Sequence, residues 1–307
     1  MIHTAEFIVI LKDKEYNEFR VNDFICLEEG INMKVGEFDL GYRNAKTIHI
    51  HVDFLKVLNK SEVIESDIDN ILDAIDFELF PILFRRYQLI LVRVDYKYDA
   101  VIESEAERAM IIELCKRNKT TANYMKLTNR FSCGVRYENK NKVFNIYDKE
   151  RERKDNNCEI LDYEINVLRF EAQIKNPHLD FKKYKYNVKK ELQEYMTEEK
   201  YKYYMKKMII ETCNIGDYYD RYRYHKIINN SDKKEKVKKE LIDFLAFNGR
   251  HKNLTLSYQK FGRYKYEKYI DILNELSINP VPIPEKTGFK KIENPLAKLV
   301  KKFNIQL

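Results

Sequence analysis

The stretch Thr47-Ile48-His49-Ile50-His51-Val52-Asp53 alternates polar and apolar residues from end to end. Because successive side chains of a strand point to opposite faces of a sheet, this period of two predicts a β-strand. One face would be apolar, and the other would carry His49, His51 and Asp53. Two imidazoles on one strand face form half of a divalent-metal site, whereas the alternative is a pair of solvent-facing or hydrogen-bonded histidines.

The same alternation predicts further strands, and a helical periodicity predicts the segments between them. The strands are expected at residues 7–11, 18–21, 91–96, 143–147 and 168–174. Helices are expected at residues 66–80 and 103–116. We therefore expect an α+β fold, in which an antiparallel-rich sheet carries helices on one face and a helical C-terminal region follows.

The second half of the chain is mostly helical in pattern and rich in lysine and tyrosine. We place a domain boundary near residue 230, giving regions 1–230 and 231–307. Helices are expected at residues 238–247, 256–261 and 264–276, with a stop near Gly249 and a break at Gly262. This order suits a helix-turn-helix that directs Arg263, Lys265 and Lys268 at DNA, or a plain helical cap over the sheet.

The composition restricts the class of protein. The 307 residues are 44% hydrophobic and 34% charged, with a formal net charge of +7, which favours a folded protein with polyanionic partners. We attribute most of the 23 tyrosines to an AT-biased genome, since Lys, Asn and Ile are also abundant. The five cysteines are widely spaced and form no CxxC, which argues against disulfides or structural zinc. Neither a signal sequence nor a membrane-length apolar run is visible, so we expect a cytoplasmic protein without membrane contact.

Two arginine–carboxylate pairs repeat the two-residue spacing of the histidines. Arg93-Val94-Asp95 and Arg169-Phe170-Glu171 each place both charges on one strand face. In a functional interpretation, Asp95 and Glu171 enter a metal or acid–base site and the arginines bind DNA phosphate. In a structural interpretation, the same residues form cross-strand ion pairs. With two imidazoles nearby, Mg²⁺ or Mn²⁺ is the expected metal.

Candidates for phosphate chemistry lie at two other places. Tyr147 and Lys149 end a predicted strand, where Tyr147 would contact DNA and Lys149 would neutralise developing phosphate charge. Tyr218 and Tyr219 follow Gly216-Asp217 at a predicted helix start capped by Asp217 and are candidate nucleophiles. Their rivals, otherwise expected to pack on helix faces, are Tyr186 (with Lys190 after it), Tyr201, Tyr203 and Tyr204.

These short motifs occur in an order that resembles a known family. The series comprises residues 49–51, 93–95, 146–149, 168–171 and 216–219, followed by the segment 266–284. It resembles phage and plasmid replication initiation proteins of the filamentous-phage gene-two type, above all the versions from Firmicutes. The resemblance spans nearly the whole chain, although each motif is short.

The resemblance implies a rolling-circle nickase, an enzyme that cleaves one strand at an origin through a tyrosine and rejoins it. His49 and His51 would bind the metal, with Asp95 or Glu171 as third ligand. Region 1–230 would be the catalytic domain, and single-stranded or supercoiled origin DNA the substrate. A host helicase and polymerase are further expected partners. The alternatives are a non-catalytic origin-binding regulator with the same fold and a conjugative relaxase.

Overall fold

The computed structural model describes residues 1–21, 25–41, 43–83, 85–118, 126–130 and 132–302. The strands are β1 (Ile2–Ile10), β2 (Ile25–Glu28), β3 (Ile31–Asp39), β4 (Asn44–Asp53), β5 (Ile90–Val101), β6 (Lys126–Arg130), β7 (Gly134–Glu138), β8 (Lys142–Asp148), β9 (Val167–Lys175), β10 (Tyr218–Tyr219) and β11 (Lys291–Ile292).

The helices are α1 (Asp13–Val21), α2 (Phe54–Val57), α3 (Ile68–Leu83), α4 (Glu105–Cys115), α5 (Lys149–Asp155), α6 (Asn176–Tyr186), α7 (Leu192–Tyr195), α8 (Glu198–Thr212), α9 (Arg221–Asn229), α10 (Glu235–His251), α11 (Leu254–Glu275) and α12 (Pro295–Lys302). This mixture of antiparallel strands and helices, with a helical C-terminal region, confirms the α+β fold expected from the alternation.

The chain divides into two compact units, each built from separate segments. Unit 1 comprises Met1–Lys97, Lys140–Val143 and Glu171–Tyr204, and unit 2 comprises Tyr98–Asn139, Phe144–Phe170 and Met205–Leu307. The predicted C-terminal region, residues 231–307, therefore belongs to unit 2 together with segments from the first half of the chain. The chain passes from one unit to the other within strands β5, β8 and β9 and within helix α8.

Unit 1 contains strands in the order β2-β3-β4-β1-β5-β9, with residues 90–97 of β5 and 171–175 of β9. The alternating stretch at residues 47–53 lies in β4, and its Ile48, Ile50 and Val52 are completely buried, as the alternation predicts. The antiparallel register places Val9, Phe7 and Ala5 of β1 directly opposite these residues. The polar face of β4 is thereby fixed on the other side of these strands.

Helix α1 corrects one predicted strand, at residues 18–21. Four alternating residues are too few to exclude a helix, and Tyr16 and Phe19 are also spaced for one helix face. Asp13 and Glu15 lie in the first turn and Arg20 in the last, where each charge complements the helix dipole. Helix α3 confirms the prediction at residues 66–80 and buries Ile71, Ile75, Leu79 and Leu83 along one face.

Unit 2 contains strands in the order β9-β8-β7-β6, together with helix α4. Ser104 caps α4, whose Arg108 is 3% exposed. Arg108 Nε donates to Asp148 Oδ2 at 2.6 Å, and its Nη1 donates to the Ile102 carbonyl oxygen at 2.6 Å and to Asn166 Oδ1 at 2.9 Å. This ion pair ties α4 to the end of β8 in the interior of the unit.

The C-terminal helices confirm the break at Gly262 and correct the expected stop at Gly249. Helix α10 continues through Gly249 to His251, and Lys252 (φ 52°) and Asn253 form the turn before α11. Gly262 has φ 75° and ψ 161°, a conformation that favours glycine and divides α11 in two. Phe244 of α10 packs against both halves of α11: its ring centroid lies 5.3 Å from that of Phe261 and 5.3 Å from that of Tyr269.

Two further findings concern the residues that the structure describes. No helix among them is both long enough and apolar enough to cross a membrane. Cys115, Cys133, Cys158 and Cys213 are free thiols.

We expect Arg108→Met to lower the free energy of unfolding by about 3–5 kcal/mol, because it leaves the Asp148 carboxylate buried without its cation. Urea unfolding followed by circular dichroism measures the change. Lys154→Ala is the control, because Lys154 pairs with Glu150 while 60% of its side chain is exposed. It should leave the unfolding midpoint nearly unchanged. Equal effects of the two substitutions would contradict the structural role of Arg108.

Candidate functional site

The polar face of β4 in unit 1 gathers side chains from three further strands. Glu6 of β1 lies opposite His51 of β4 on one side and opposite Arg93 of β5 on the other. Thr4 lies opposite Asp53 and Asp95 in the same way. Since directly opposed residues of an antiparallel pair share a face, these side chains line one surface.

A bulge in β1 adds His3 to this surface. The register with β5 changes between Ile2, which faces Tyr96, and Thr4, which faces Asp95, so one additional residue of β1 is accommodated. The His3 Nε2 atom lies 3.2 Å from Glu171 Oε2. His3 and Glu171 are both buried.

Glu6, like His3 and Thr4, belongs to this surface although no sequence motif indicates it. Its Oε1 accepts from Arg93 Nη1 at 2.6 Å, and its Oε2 lies 3.4 Å from His49 Nε2. Burial by itself would raise the pKa of Glu6, but His49, Arg93 and His51 together lower it. Glu6 is therefore a carboxylate held between an arginine and two histidines, a position that only the strand register reveals.

Asp95 is engaged by its own strand and by β1. Arg93 Nε donates to Asp95 Oδ1 at 2.9 Å, and Thr4 Oγ1 donates to Oδ2 at 2.6 Å. Burial, opposed by Arg93 and reinforced by Glu171, raises the pKa of Asp95, which is 1% exposed. Arg93 therefore contacts two carboxylates, as the structural interpretation of this motif expects, and its contact with DNA phosphate stays a prediction.

Glu171 is engaged in a similar manner. Gln173 Nε2 donates to its Oε1 at 2.7 Å, and His3 faces its Oε2. Both predicted carboxylate ligands thus lie on the same sheet face as His49 and His51 but contact other side chains. Among the described residues, no group of three His, Cys, Asp or Glu side chains is arranged to hold a metal ion.

The two histidines nevertheless retain the chemistry of metal ligands. Burial lowers the pKa of His51, which favours the neutral imidazole that binds metals. The His49 Nε2 atom is buried and forms no hydrogen bond with any described residue, although 40% of the side chain is exposed. His49 Nε2 lies 3.4 Å from Glu6 Oε2 in this arrangement, and metal binding by His49, His51 and Glu6 stays a prediction.

The predicted phosphate contacts in unit 2 are corrected by their burial. Arg169 is 3% exposed and donates through Nε and Nη2 to the Asp99 carboxylate at 2.7 and 2.9 Å. Lys149 is buried, and its Nζ lies 2.7 Å from Glu152 and 3.7 Å from Glu164. Both cations are already neutralised by carboxylates. Tyr147 is half-buried, with its ring centroid 5.9 Å from Lys149 Nζ.

The motif Gly216-Asp217-Tyr218-Tyr219 has a packing role in unit 2. A Cβ at Gly216 would lie 2.2 Å from the Ile278 carbonyl carbon, so the close approach of residues 277–279 requires glycine. Asp217 accepts from the Asn294 backbone N–H at 3.0 Å, whereas Asp220 caps α9. The expected cap at Asp217 is therefore wrong, because Tyr218 and Tyr219 form β10 before the helix begins.

The candidate nucleophiles differ sharply in accessibility. Tyr218 is 2% exposed, its hydroxyl lies 3.9 Å from Cys115 Sγ, and burial raises its pKa well above the usual value. Tyr219 is half-buried, and burial followed by Asp217 raises its pKa. Of the rivals, Tyr201 and Tyr204 are buried, whereas Tyr186 and Tyr203 are exposed. A phosphodiester can reach a tyrosine hydroxyl only where the side chain meets solvent, which leaves Tyr186, Tyr203 and Tyr219.

The three cationic residues predicted on α11 are exposed. Arg263 follows the break at Gly262 and pairs with Glu267 at 2.9 Å, and Lys265 and Lys268 lie in the same half of the helix. Helix α10, the turn at residues 252–253 and the first half of α11 have the order of a helix-turn-helix. Contact with DNA through these three residues stays a prediction.

No protein-family model matches this sequence, and no protein of curated function matches it.

We expect Arg93→Gln to lower the free energy of unfolding by about 3–5 kcal/mol, because Glu6 and Asp95 would lose their shared cation. Chemical unfolding measures the loss. Lys46→Ala, which removes the surface partner of Asp13, is the control and should change stability little. An Arg93→Gln protein of unchanged stability but weakened DNA binding would instead favour a phosphate-binding role for Arg93.

Proposed function

We propose that this protein is a DNA-nicking replication initiator that cleaves and rejoins one strand of an origin through a tyrosine. The observation that carries the proposal is the surface of His49, His51 and Glu6, where the buried His49 Nε2 has no hydrogen-bond partner among described residues. Its donor set suits a divalent cation, and the sequence motifs that resemble phage and plasmid initiators include these histidines.

Mg²⁺ or Mn²⁺ is the proposed metal, with His49, His51 and Glu6 as its ligands. Such an ion withdraws charge from a scissile phosphate and lowers the barrier to its attack. Glu6 replaces Asp95 and Glu171 in this proposal because its Oε2 lies 3.4 Å from His49 Nε2, whereas the other two carboxylates contact Arg93, Thr4, His3 and Gln173. Asp95 and Glu171 instead position Arg93 and His3 around the site.

In the proposed reaction, a tyrosine oxygen attacks the scissile phosphorus and forms a 5′ phosphotyrosine bond. The bond from phosphorus to the 3′ oxygen breaks, that oxygen takes up a proton, and the phenol proton passes to solvent. The phosphodiester bond energy is retained in the adduct, so a 3′ hydroxyl can later reverse the step and rejoin the strand. Tyr186, Tyr203 and Tyr219 are the candidates, since their side chains meet solvent.

The substrate is proposed to be single-stranded or supercoiled origin DNA in the cytoplasm, with a host helicase and polymerase acting after the nick. The net charge of +7 favours association with such a polyanion. Arg263, Lys265 and Lys268 would contribute phosphate contacts from the C-terminal region. A conjugative relaxase would use the same chemistry in transfer rather than replication.

A second function, origin binding without cleavage, is favoured by one observation. Arg93 pairs with Glu6 and Asp95, His3 contacts Glu171, and no described group of three His, Cys, Asp or Glu side chains forms a metal site. A face compensated in this way is stable without a cation. The protein would then retain the fold for DNA recognition and regulation only.

Incubation with labelled single-stranded origin DNA and Mn²⁺ tests the choice between these functions. We expect a covalent protein–DNA adduct that EDTA prevents. His51→Ala should lower adduct formation roughly tenfold to a hundredfold, because one metal ligand is lost. His251→Ala is the matched control, since His251 is exposed and lies outside this surface. Tight binding without an adduct on any origin strand would refute the nickase and favour the regulator.

Substitution and peptide mapping identify the tyrosine. Tyr218→Phe should leave adduct formation unchanged, because its hydroxyl is buried against Cys115. We expect one of Tyr186→Phe, Tyr203→Phe and Tyr219→Phe to abolish the adduct while circular dichroism remains native. An adduct mapped to Tyr218 would show that unit 2 opens during the reaction and would contradict the assignment.

A further inference from the structure

Four exposed aromatic side chains cluster on α6 and the beginning of α8 in unit 1. Phe181 is 47% exposed, Tyr184 73%, Tyr186 54% and Tyr203 42%. Large aromatic side chains contribute most to cores and interfaces, so a group of four at the surface indicates a binding site. We refer to these residues with Lys182, Lys183 and Lys185 as the aromatic–lysine surface.

The lysines of this surface are interleaved with the rings. Lys182 Nζ lies 4.8 Å from the ring centroid of Tyr186 and 5.2 Å from that of Tyr203. Lys185 Nζ lies 5.2 Å from Phe181 and 5.3 Å from Tyr186. Lys183 Nζ lies 5.9 Å from Tyr184. The ammonium groups are therefore held beside the rings by cation–π attraction.

The positive charge of the surface is uncompensated. Throughout the described part of the chain, no carboxylate forms an ion pair with Lys182, Lys183 or Lys185. The three lysines lie in the last half of α6, where cations complement the helix dipole. The surface thus presents three positive charges that an anionic partner can neutralise, in contrast to Arg93 and Arg169, which pair with carboxylates.

The rings rest on a fixed base. Phe181 packs edge-on against Tyr186, with centroids 5.8 Å apart and planes at 77°. Below them, His178 is buried and its Nε2 lies 3.2 Å from the Tyr204 hydroxyl. Helix α6 ends at Asn187 in the left-handed conformation, which closes its last turn. Preorganised rings lose little conformational entropy when a ligand stacks on them.

We propose that the aromatic–lysine surface binds single-stranded DNA, with unpaired bases stacked on Tyr184 and its neighbours and phosphates neutralised by the lysines. Stacking on protein rings combined with lysine–phosphate contacts is the chemistry by which proteins hold single strands without sequence preference. A duplex does not offer its base faces, and a membrane-binding face would add aliphatic side chains, whereas the exposed apolar groups of this surface are aromatic.

The inference deepens the proposed DNA function by naming a surface that holds the strand, but its test does not require nicking. Binding is measured by fluorescence anisotropy in EDTA with a labelled single-stranded oligonucleotide. We expect Tyr184→Ala to raise the dissociation constant roughly fivefold to a hundredfold, and Tyr184→Phe to restore binding, because stacking needs only the ring. Tyr222→Ala is the matched control, since Tyr222 is 76% exposed.

An oligonucleotide with abasic sites has the same phosphate charge but offers no bases. The native protein should bind this abasic oligonucleotide more weakly than the intact one. Tyr184→Ala should cause little further loss of affinity for the abasic oligonucleotide. Lys185→Ala should reduce the slope of log affinity against log salt concentration by about one. Lys14→Ala is the control and should leave this slope unchanged, since Lys14 is an exposed residue of α1 outside the surface. Tyr184 is not a candidate nucleophile, so a failure of nicking leaves these outcomes unaffected.

Three results would overturn the proposal. One is a Tyr184→Ala effect no greater than that of Tyr222→Ala. Another is equal affinity for the abasic and intact strands, which would show that lysine–phosphate contacts alone account for binding. The third is a preference for duplex DNA, for RNA of the same sequence or for anionic lipid vesicles over single-stranded DNA.

Discussion

Strand β1 pairs with β4 on one side and with β5 on the other, and the polar surface of unit 1 depends on the register of both pairings. Glu6 lies between His51 and Arg93 only because these registers align them. A slip of one residue would turn Glu6 toward the apolar side and expose Phe7. The complete burial of Phe7, Ile50 and their neighbours opposes that slip, so the hydrophobic face holds the polar face in place.

Charge compensation then determines which chemistry this surface can perform. Glu6, Asp95 and Glu171 would repel one another if Arg93 and His3 did not lie among them. Arg93 suits this task because its guanidinium reaches two carboxylates at once. The His49 nitrogen near Glu6 and the His3 Nδ1 atom are buried polar atoms of this surface that form no hydrogen bond with a described residue, and the proposed cation would bind at the His49 nitrogen.

Arginine and lysine divide into two roles in this chain. The sequence motifs single out Arg93, Arg169 and Lys149 for phosphate, yet each is paired with carboxylates, and Arg169 and Lys149 are buried. Lys182 and Lys185 of α6 form no recognisable sequence motif, because lysine is common in this chain, yet both lie beside exposed aromatic rings. A spacing of two on a strand identifies residues that share a face, but solvent access depends on what covers that face.

The sequence by itself determined the α+β class, the strands at β4, β5, β8 and β9, the helices α3, α4, α10 and the broken α11, and the sharing of one face by His49 and His51. These features follow from the periodicity of neighbouring residues, which acts over a few residues only. The tertiary structure decided which distant strands pair, and with them the place of Glu6, the bulge at His3 and the burial of Tyr218. Those depend on contacts between residues far apart in the chain, on which local periodicity carries no information.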